Sequence, residues 1–298
     1  MKITVFTPTY NRAGTIERLY RSLQKQSFKD FEWLVIDDGS SDNTRELFEL
    51  KWCLEKNDFP IRYFYSTNKG KMKEMNVAMD LAEGELFFTV DSDDWLVDDA
   101  LQFINEWTKT IPRDGDFCGL AGRSGASLYE SPAVLLPEPY YDTTLFARYR
   151  GYSEYHIFAD RAWVFYTEIY RKYKFPEYEN ENFIAEAVSW NRMANDGLKV
   201  RCFNEIIYQY EFQEDGLTNN MSKTLIKNPR GYGLWLAEMM KFMNYNLAKR
   251  MKQYYVFYSD LVGKQSFAEI SEYIQCPYPL MILVAIIYKA KRLIRRRM

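Results

Sequence analysis

The chain has 298 residues, 47% of them apolar and 27% charged, enough for the core of one large α/β domain or two modest ones. That balance excludes a disordered chain, a collagen-like repeat and a multi-span membrane protein. Net charge is −2, yet Pro279 to Met298 holds six basic residues and no acid, and an acidic body with a basic end does not suit a nucleic-acid binder.

Lys2 to Thr7 reads as a strand, followed by a turn at Pro8 to Asn11 and a helical pattern through Ile16, Leu19, Tyr20 and Leu23. Met1 to Val5 runs straight into that strand, with no signal-peptide pattern, so a cytoplasmic protein is expected. Phe31 to Ile36 is a second strand ending in Asp37-Asp38-Gly39-Ser40-Ser41-Asp42, rich in helix-capping residues. Ile61 to Tyr65 is a third strand. Lys71 to Glu83 is a helix with Met72, Met75, Met79 and Ala82 on one face, closed by Gly84. Glu85 to Val90 is a fourth strand, ending in Asp91-Ser92-Asp93-Asp94.

This alternation predicts a parallel sheet with helices on both faces and all strand C-termini along one edge, where open α/β sheets bind ligands. Three polar clusters, Thr7–Arg12, Asp37–Asp42 and Asp91–Asp94, fall at that edge. Later signals are less regular. Asp116 to Ala121 and Trp163 to Tyr166 read as strands, with loop and edge strand over Ser124 to Pro139. Glu181 to Asn195 reads as a helix, Leu198 to Phe203 and Ile206 to Tyr210 as two strands, and Gly231 to Ile274 as mainly helical. The four cysteines, Cys53, Cys118, Cys202 and Cys276, are too scattered for a metal or disulfide framework, which predicts reduced thiols.

The clusters suggest chemistry. Carboxylates crowded at a strand end call for a cation, and hard divalent ions take carboxylate oxygen. The alternative is that Asp93 or Asp94 caps a helix near Val97. Asp38 suits hydrogen bonds to a ribose or a base N–H, or else a helix cap. Lys71, after Gly70 at a helix start, suits a phosphate, or else is a solvated surface lysine.

In their order and spacing, Thr7-Pro8-Thr9-Tyr10-Asn11-Arg12, Asp37-Asp38-Gly39-Ser40-Ser41-Asp42, Asn68-Lys69-Gly70-Lys71, Asn76, Ala82-Glu83-Gly84-Glu85 and Asp91-Ser92-Asp93-Asp94 resemble the family-2 glycosyltransferases. Weaker likeness to bacterial polysaccharide members continues through Phe175-Pro176-Glu177, Glu181–Glu186, Trp190-Asn191-Arg192 and Asp215-Gly216-Leu217-Thr218. The resemblance implies a GT-A fold: a mostly parallel, Rossmann-like nucleotide-binding sheet with a helical C-terminal extension. It implies a donor half at 1–115, an acceptor half at 116–220, a helical region at 221–298 and a basic amphipathic tail at 279–298. It further implies a metal-dependent, inverting hexosyl- or N-acetylhexosaminyl-transferase, using Mn2+ or Mg2+ and a nucleotide-diphosphate sugar, with UDP the leading nucleotide. The acceptor would be a hydroxyl of a glycan or lipid-linked saccharide in surface polysaccharide synthesis.

The resemblance also assigns roles. Pro8 and Tyr10 frame the base, with Thr7 and Arg12 nearby. Asp38 contacts base or ribose, Lys71 the nucleotide or phosphates, Asp91 the ribose, and Asp93 the metal. Glu186 corresponds to the catalytic carboxylate, with Glu181 as the alternative five residues earlier. Ala187 follows Glu186 where relatives often carry a second acid. On the expected helix Glu186 shares a face with Asn182 and Trp190, and Trp190 serves either as a floor for an acceptor sugar or as core. Asp160 shapes the acceptor pocket or forms an ordinary ion pair. His156, the single histidine, lies outside any motif and reads as structural.

Two other classes compete. A sugar nucleotidyltransferase opens with a Gly-rich loop, whereas here Pro8 to Gly14 has one glycine at its end. A non-catalytic carbohydrate-binding or scaffold subunit could keep the fold without turnover. Leu280 to Tyr288 is an unbroken apolar run of nine followed by the basic end, too short to span a bilayer. It suits a helix lying on an anionic membrane, on the inner face of the plasma membrane, or one packed against the body or a second subunit.

Overall fold

The computed structural model describes residues 1–112, 115–149, 151–155, 157, 161–211 and 217–297, with backbone alone at 217–219 and 295–297. Two compact units form: Met1–Lys174 with Arg192–Gln213, and Phe175–Asn191 with Glu214–Met298.

The first unit is built on a nine-stranded sheet. In chain order its elements are β1 (Ile3–Thr9), α1 (Ile16–Lys25), β2 (Phe31–Asp37), α2 (Thr44–Leu47), β3 (Ile61–Tyr65), α3 (Lys71–Leu81), β4 (Leu86–Thr89), β5 (Trp95–Leu96), α4 (Ala100–Thr108), β6 (Phe117–Gly125), β7 (Tyr141–Thr144), β8 (Arg161–Tyr166) and α5 (Thr167–Tyr170). The helix α6 (Ala187–Asn195) runs across the division between the units, and β9 (Lys199–Gln209) completes the sheet. Strand order is β3-β2-β1-β4-β8-β6-β9-β5, with β7 also on β9. The β3-β2-β1-β4 stretch is parallel, as expected; β8 is antiparallel to both β4 and β6.

Every residue of β1 and β2 is buried, the pattern of central parallel strands covered on both faces. Trp33 of β2 packs with Tyr20, Phe48 and Trp52, so much of the aromatic content fills the core. Two carboxylates, Glu32 and Asp37, are buried in β2. Glu32 accepts from Thr4 Oγ1 (2.6 Å), Glu83 N (2.8 Å) and Arg62 Nη1 (2.8 Å), which meets the demand of a buried carboxylate for partners.

Several expectations are corrected. Gly84 does not close α3, which ends at Leu81. It is needed because β4 approaches β1 so closely that a Cβ would lie 2.3 Å from Thr4 N. The two late strands are one strand, β9. Its pairing with β6 shifts register between Ala121/Arg123 and Arg123/Ser124, and bulges of this kind read in sequence as a turn. Neither Asp93 nor Asp94 caps a helix: Trp95–Leu96 is a strand, and α4 starts after Asp99.

The second unit is helical: α7 (Leu217–Lys227), α8 (Pro229–Phe242), α9 (Leu247–Leu261), α10 (Phe267–Tyr273) and α11 (Tyr278–Arg297). Its core includes Tyr232, Leu236, Met240, Phe257, Leu261, Ile270, Met281 and Val284. Gly233 lets α8 touch α10, since a Cβ there would lie 2.4 Å from Tyr273 O. The expected helix over Glu181–Asn195 begins only at Ala187. The preceding stretch uses its polar groups elsewhere in the unit. Asn182 N and Phe183 N donate to Asn228 Oδ1 (2.8 and 3.1 Å), and Glu181 accepts from Arg230 N (2.7 Å) and Gly231 N (2.9 Å). These tertiary bonds replace the helical ones, and Glu181 thereby satisfies the open N-terminus of α8.

Candidate functional site

The loops after the four parallel strands are tied to one another, side chain to backbone. Asn11 takes a left-handed conformation (φ 53°) that turns the chain after β1. Its Oδ1 accepts from Ser41 N (2.8 Å), and its own N–H donates to Ser40 Oγ (2.8 Å). Arg12 N donates to Thr44 Oγ1 (3.0 Å) and Ala13 N to Asp42 Oδ2 (3.0 Å), so the loops after β1 and β2 form one block. Asp37 and Asp42 are structural members of it. Asp37 accepts from Ser40 N and the Tyr63 hydroxyl; Asp42 accepts from the Thr44 N–H and hydroxyl.

Asp38 joins that block to the third loop. Its buried carboxylate accepts Lys69 N (2.6 Å) and Gly70 N (2.9 Å) at the start of α3. Burial pushes its pKa up, while the two backbone donors pull it down. The Glu74 side chain is a third hydrogen-bond partner of this carboxylate. Glu74, also buried, is held by Ser66 Oγ (2.5 Å), and burial raises its pKa too.

The third loop reaches the fourth through Lys71, whose ammonium sits 2.8 Å from Asp91 Oδ1. Asp93 is 3.7 Å from Arg12 Nη2. The backbone of the acidic turn is pinned from α1: Thr15 Oγ1 donates to Ser92 O (3.2 Å) and Arg18 Nη2 to Asp93 O (2.7 Å). The result is a continuous polar edge running from Asn11 through Asp38 and Lys71 to Asp91 and Asp93.

Sequence reasoning missed one support of this edge. Tyr208 of β9 donates its hydroxyl to Asp94 Oδ2 (2.6 Å) and accepts from Asp91 N (3.1 Å). No local signal marks it, because its partners lie more than a hundred residues earlier. Asp94 pays for this position: burial first, then its Asp91 and Asp93 neighbours, push its pKa from 3.8 to about 7, against the Tyr208 bond and Lys71. The folded state therefore holds more protons than the unfolded state between these values, and stability falls as pH rises through that window. The gap corresponds to at most about 4 kcal/mol. Asp94→Asn should accordingly raise the Tm of the metal-free protein by several degrees at pH 8, with a smaller gain at pH 5. A gain equal at both pH values would contradict this reading of Asp94.

The remaining expected residues are distributed as follows. Pro8 is buried in β1, and Tyr10 just beyond it is 48% exposed. Thr7 is not presented at the edge: it is fully buried and its Oγ1 accepts from Trp33 Nε1 (3.0 Å). Thr9, two residues on, has a buried hydroxyl without a hydrogen-bond partner among the described residues. Glu186 and Trp190 belong to the second unit. Glu186 stands half-buried immediately before α6, and its carbonyl accepts Trp190 N at 3.3 Å, so these two keep the i, i+4 relation. Asn182 is not on that helix. Asp160 and His156 lie outside the described residues.

Among the described residues no three His, Cys, Asp or Glu side chains group to hold a metal by themselves. Magnesium and manganese commonly take only one or two carboxylates from a protein, with phosphates and water completing the shell. Asp91, Asp93 and Asp94 gather carboxylate oxygens at this turn, beside Lys71 and Arg12, and such an all-oxygen donor set suits a hard divalent cation.

Over 102 residues the chain is 39% identical to the GalNAc(5)-diNAcBac-PP-undecaprenol beta-1,3-glucosyltransferase of Campylobacter jejuni, covering 34% of this chain and 32% of that protein. Over 112 residues it is 39% identical to the poly(ribitol-phosphate) beta-N-acetylglucosaminyltransferase TarS of Staphylococcus aureus, covering 36% of this chain and 19% of TarS. The fold matches the crystal structure of S. aureus TarS 1-349 in complex with UDP-GlcNAc, with a TM-score of 0.54 at 18% identity over 98% of this chain and 92% of that one. A mannosyltransferase from Pyrobaculum calidifontis in complex with GDP-Man and Mn2+ also scores 0.54, at 16% identity over 96% of this chain and 86% of that one. The glycosyl transferase family 2 model matches residues 4–173, more than half of the sequence and all four tied loops. The fold is GT-A, and the chain belongs to glycosyl transferase family 2.

Proposed function

We propose that this chain is an inverting glycosyltransferase that moves a sugar from a UDP-sugar to a hydroxyl of a glycan or lipid-linked saccharide. The observation that carries the reading is the tied edge, in which Asp38, Lys71 and the Asp91–Asp93 turn come from three separate segments to one border of the sheet. The names of the relatives support the substrate classes: an undecaprenol-diphosphate glycan in one case, and UDP or UDP-GlcNAc complexes in the other.

In this reading residues 1–115 hold the donor and 116–220 shape the acceptor side. Tyr10 and Pro8 flank the base, and Asp38 accepts from the base or ribose. Asp91 takes ribose hydroxyls, while Lys71 and Arg12, each beside a carboxylate, turn to the diphosphate. Asp93 holds a divalent cation, which when bound supplies charge compensation at the leaving diphosphate. Glu186 accepts the proton of the attacking hydroxyl, so that the acceptor oxygen displaces the nucleotide directly from the anomeric carbon. No protein nucleophile takes part. Glu181 serves the fold, since both its oxygens accept backbone N–H groups at the start of α8.

The test is a panel of UDP- and GDP-sugars, each scored for thermal stabilisation with and without manganese. A donor at a hundred times its Kd stabilises by about 2.7 kcal/mol. A UDP-sugar should raise Tm in a manganese-dependent way. A panel in which no nucleotide sugar stabilises the protein would sink the proposal.

A further inference from the structure

Helix α11 carries two apolar stripes, and only one is used by the fold. Met281, Val284 and Tyr288, spaced i, i+3, i+7, face the second unit. Met281 and Val284 are fully buried, and the Tyr288 ring lies 5.5 Å from Tyr258 and 6.2 Å from Tyr255 on α9. The other stripe, Ile282, Ile286 and Leu293, is spaced i, i+4, i+11. With Leu283 and Ile294 beside it, this face is 45–59% exposed at every position. Lys289 and Arg292 are exposed beside it, Lys291, also exposed, holds its ammonium 4.6 Å from the Tyr255 ring of α9, and from Pro279 to Met298 there is no acidic residue.

We infer that this outer face of α11 is a docking surface for an anionic lipid bilayer, on which the helix lies flat with Ile282, Leu283, Ile286, Leu293 and Ile294 in the headgroup–acyl boundary. Charge complementarity selects the occupant. A run of basic residues beside an apolar stripe, with no acid to repel phosphate, matches a negatively charged lipid surface such as that of the cytoplasmic leaflet. The packing selects the mode. No single helix among the described residues is long and apolar enough to cross a membrane. The bent pair α10–α11, which has the length and composition, turns by 118° with Phe267 and Tyr278 in contact at 5.1 Å. Spanning would also strip Met281 and Val284 out of the core, so the helix is surface-bound.

The experiment is flotation of the whole chain with phosphatidylcholine vesicles, with and without phosphatidylglycerol, and it does not depend on transfer activity. Binding is expected on the anionic vesicles, with little on the neutral ones, and extraction by alkaline carbonate. Ile282→Ser/Ile286→Ser/Leu293→Ser should lose binding with Tm unchanged, because all three side chains are exposed. Lys289→Gln/Lys291→Gln/Arg292→Gln should weaken it about fivefold per charge removed. Equal binding to neutral vesicles, retention after carbonate, or a triple serine variant that floats like the parent would overturn the inference. So would light scattering showing that the parent is a dimer which the serine variant splits, since a second copy would then cover the stripe.

Discussion

Glu186→Gln is expected to lose 10²- to 10⁴-fold in turnover while binding the UDP-sugar as the parent does. Glutamine keeps the shape and some hydrogen bonding of the carboxylate but cannot take a proton from the acceptor hydroxyl. The loss corresponds to about 3–5 kcal/mol of transition-state stabilisation, too large for a residue that only shapes the pocket. Glu181→Gln provides the contrast. Its carboxylate accepts two backbone N–H groups at the start of α8, and a glutamine offers one carbonyl oxygen, so one donor loses its partner. Glu181→Gln should therefore lower Tm, by an amount equivalent to about 1–3 kcal/mol, with turnover per folded molecule retained. Single-turnover kinetics with calorimetric donor binding separates the two. Parent-like turnover in Glu186→Gln would remove it as the base.

Asp93→Ala should abolish the manganese-dependent part of donor affinity. The metal fit rests on the carboxylate oxygens of this turn, and magnesium or manganese commonly joins one or two such carboxylates to substrate phosphates. Without Asp93 the cation loses its protein anchor, and titration calorimetry should show donor affinity in manganese falling at least about tenfold, toward the value in chelator. The loss should not come from unfolding. Asp93 contributes its backbone carbonyl to Arg18, and that contact survives truncation of the side chain. An unchanged manganese increment in Asp93→Ala would move the metal to other residues.

The sheet edge was legible because its signals are local. A strand in the middle of a parallel sheet must be apolar on both faces, so β1, β2 and β4 stand out as runs, and the polar residues that end them mark the edge. The position of Lys71 was likewise readable from Gly70 and the methionine periodicity of α3. Signals that depend on distant partners were not. Thr7 belongs to the same loop motif as Tyr10 but spends its hydroxyl on Trp33. Asp94 looks in sequence like its neighbours, yet Tyr208 singles it out. Glu181 and Glu186 both read as residues of one helix. Hydrogen bonds to α8 pull Glu181 out of it and leave Glu186 at its start.

By itself, the sequence determined the order of strands and main helices from β1 through β4, the edge on which the acidic and basic clusters lie, and the apolar, basic character of α11. Each follows from periodicity and strand ends, which neighbouring residues encode. Only the tertiary structure decided which donors each carboxylate meets, and which stripe of α11 is left uncovered. A carboxylate acts as a ligand, a base or a cap according to the donors around it. In this protein those donors come from segments tens to more than a hundred residues away, brought together only when the chain folds.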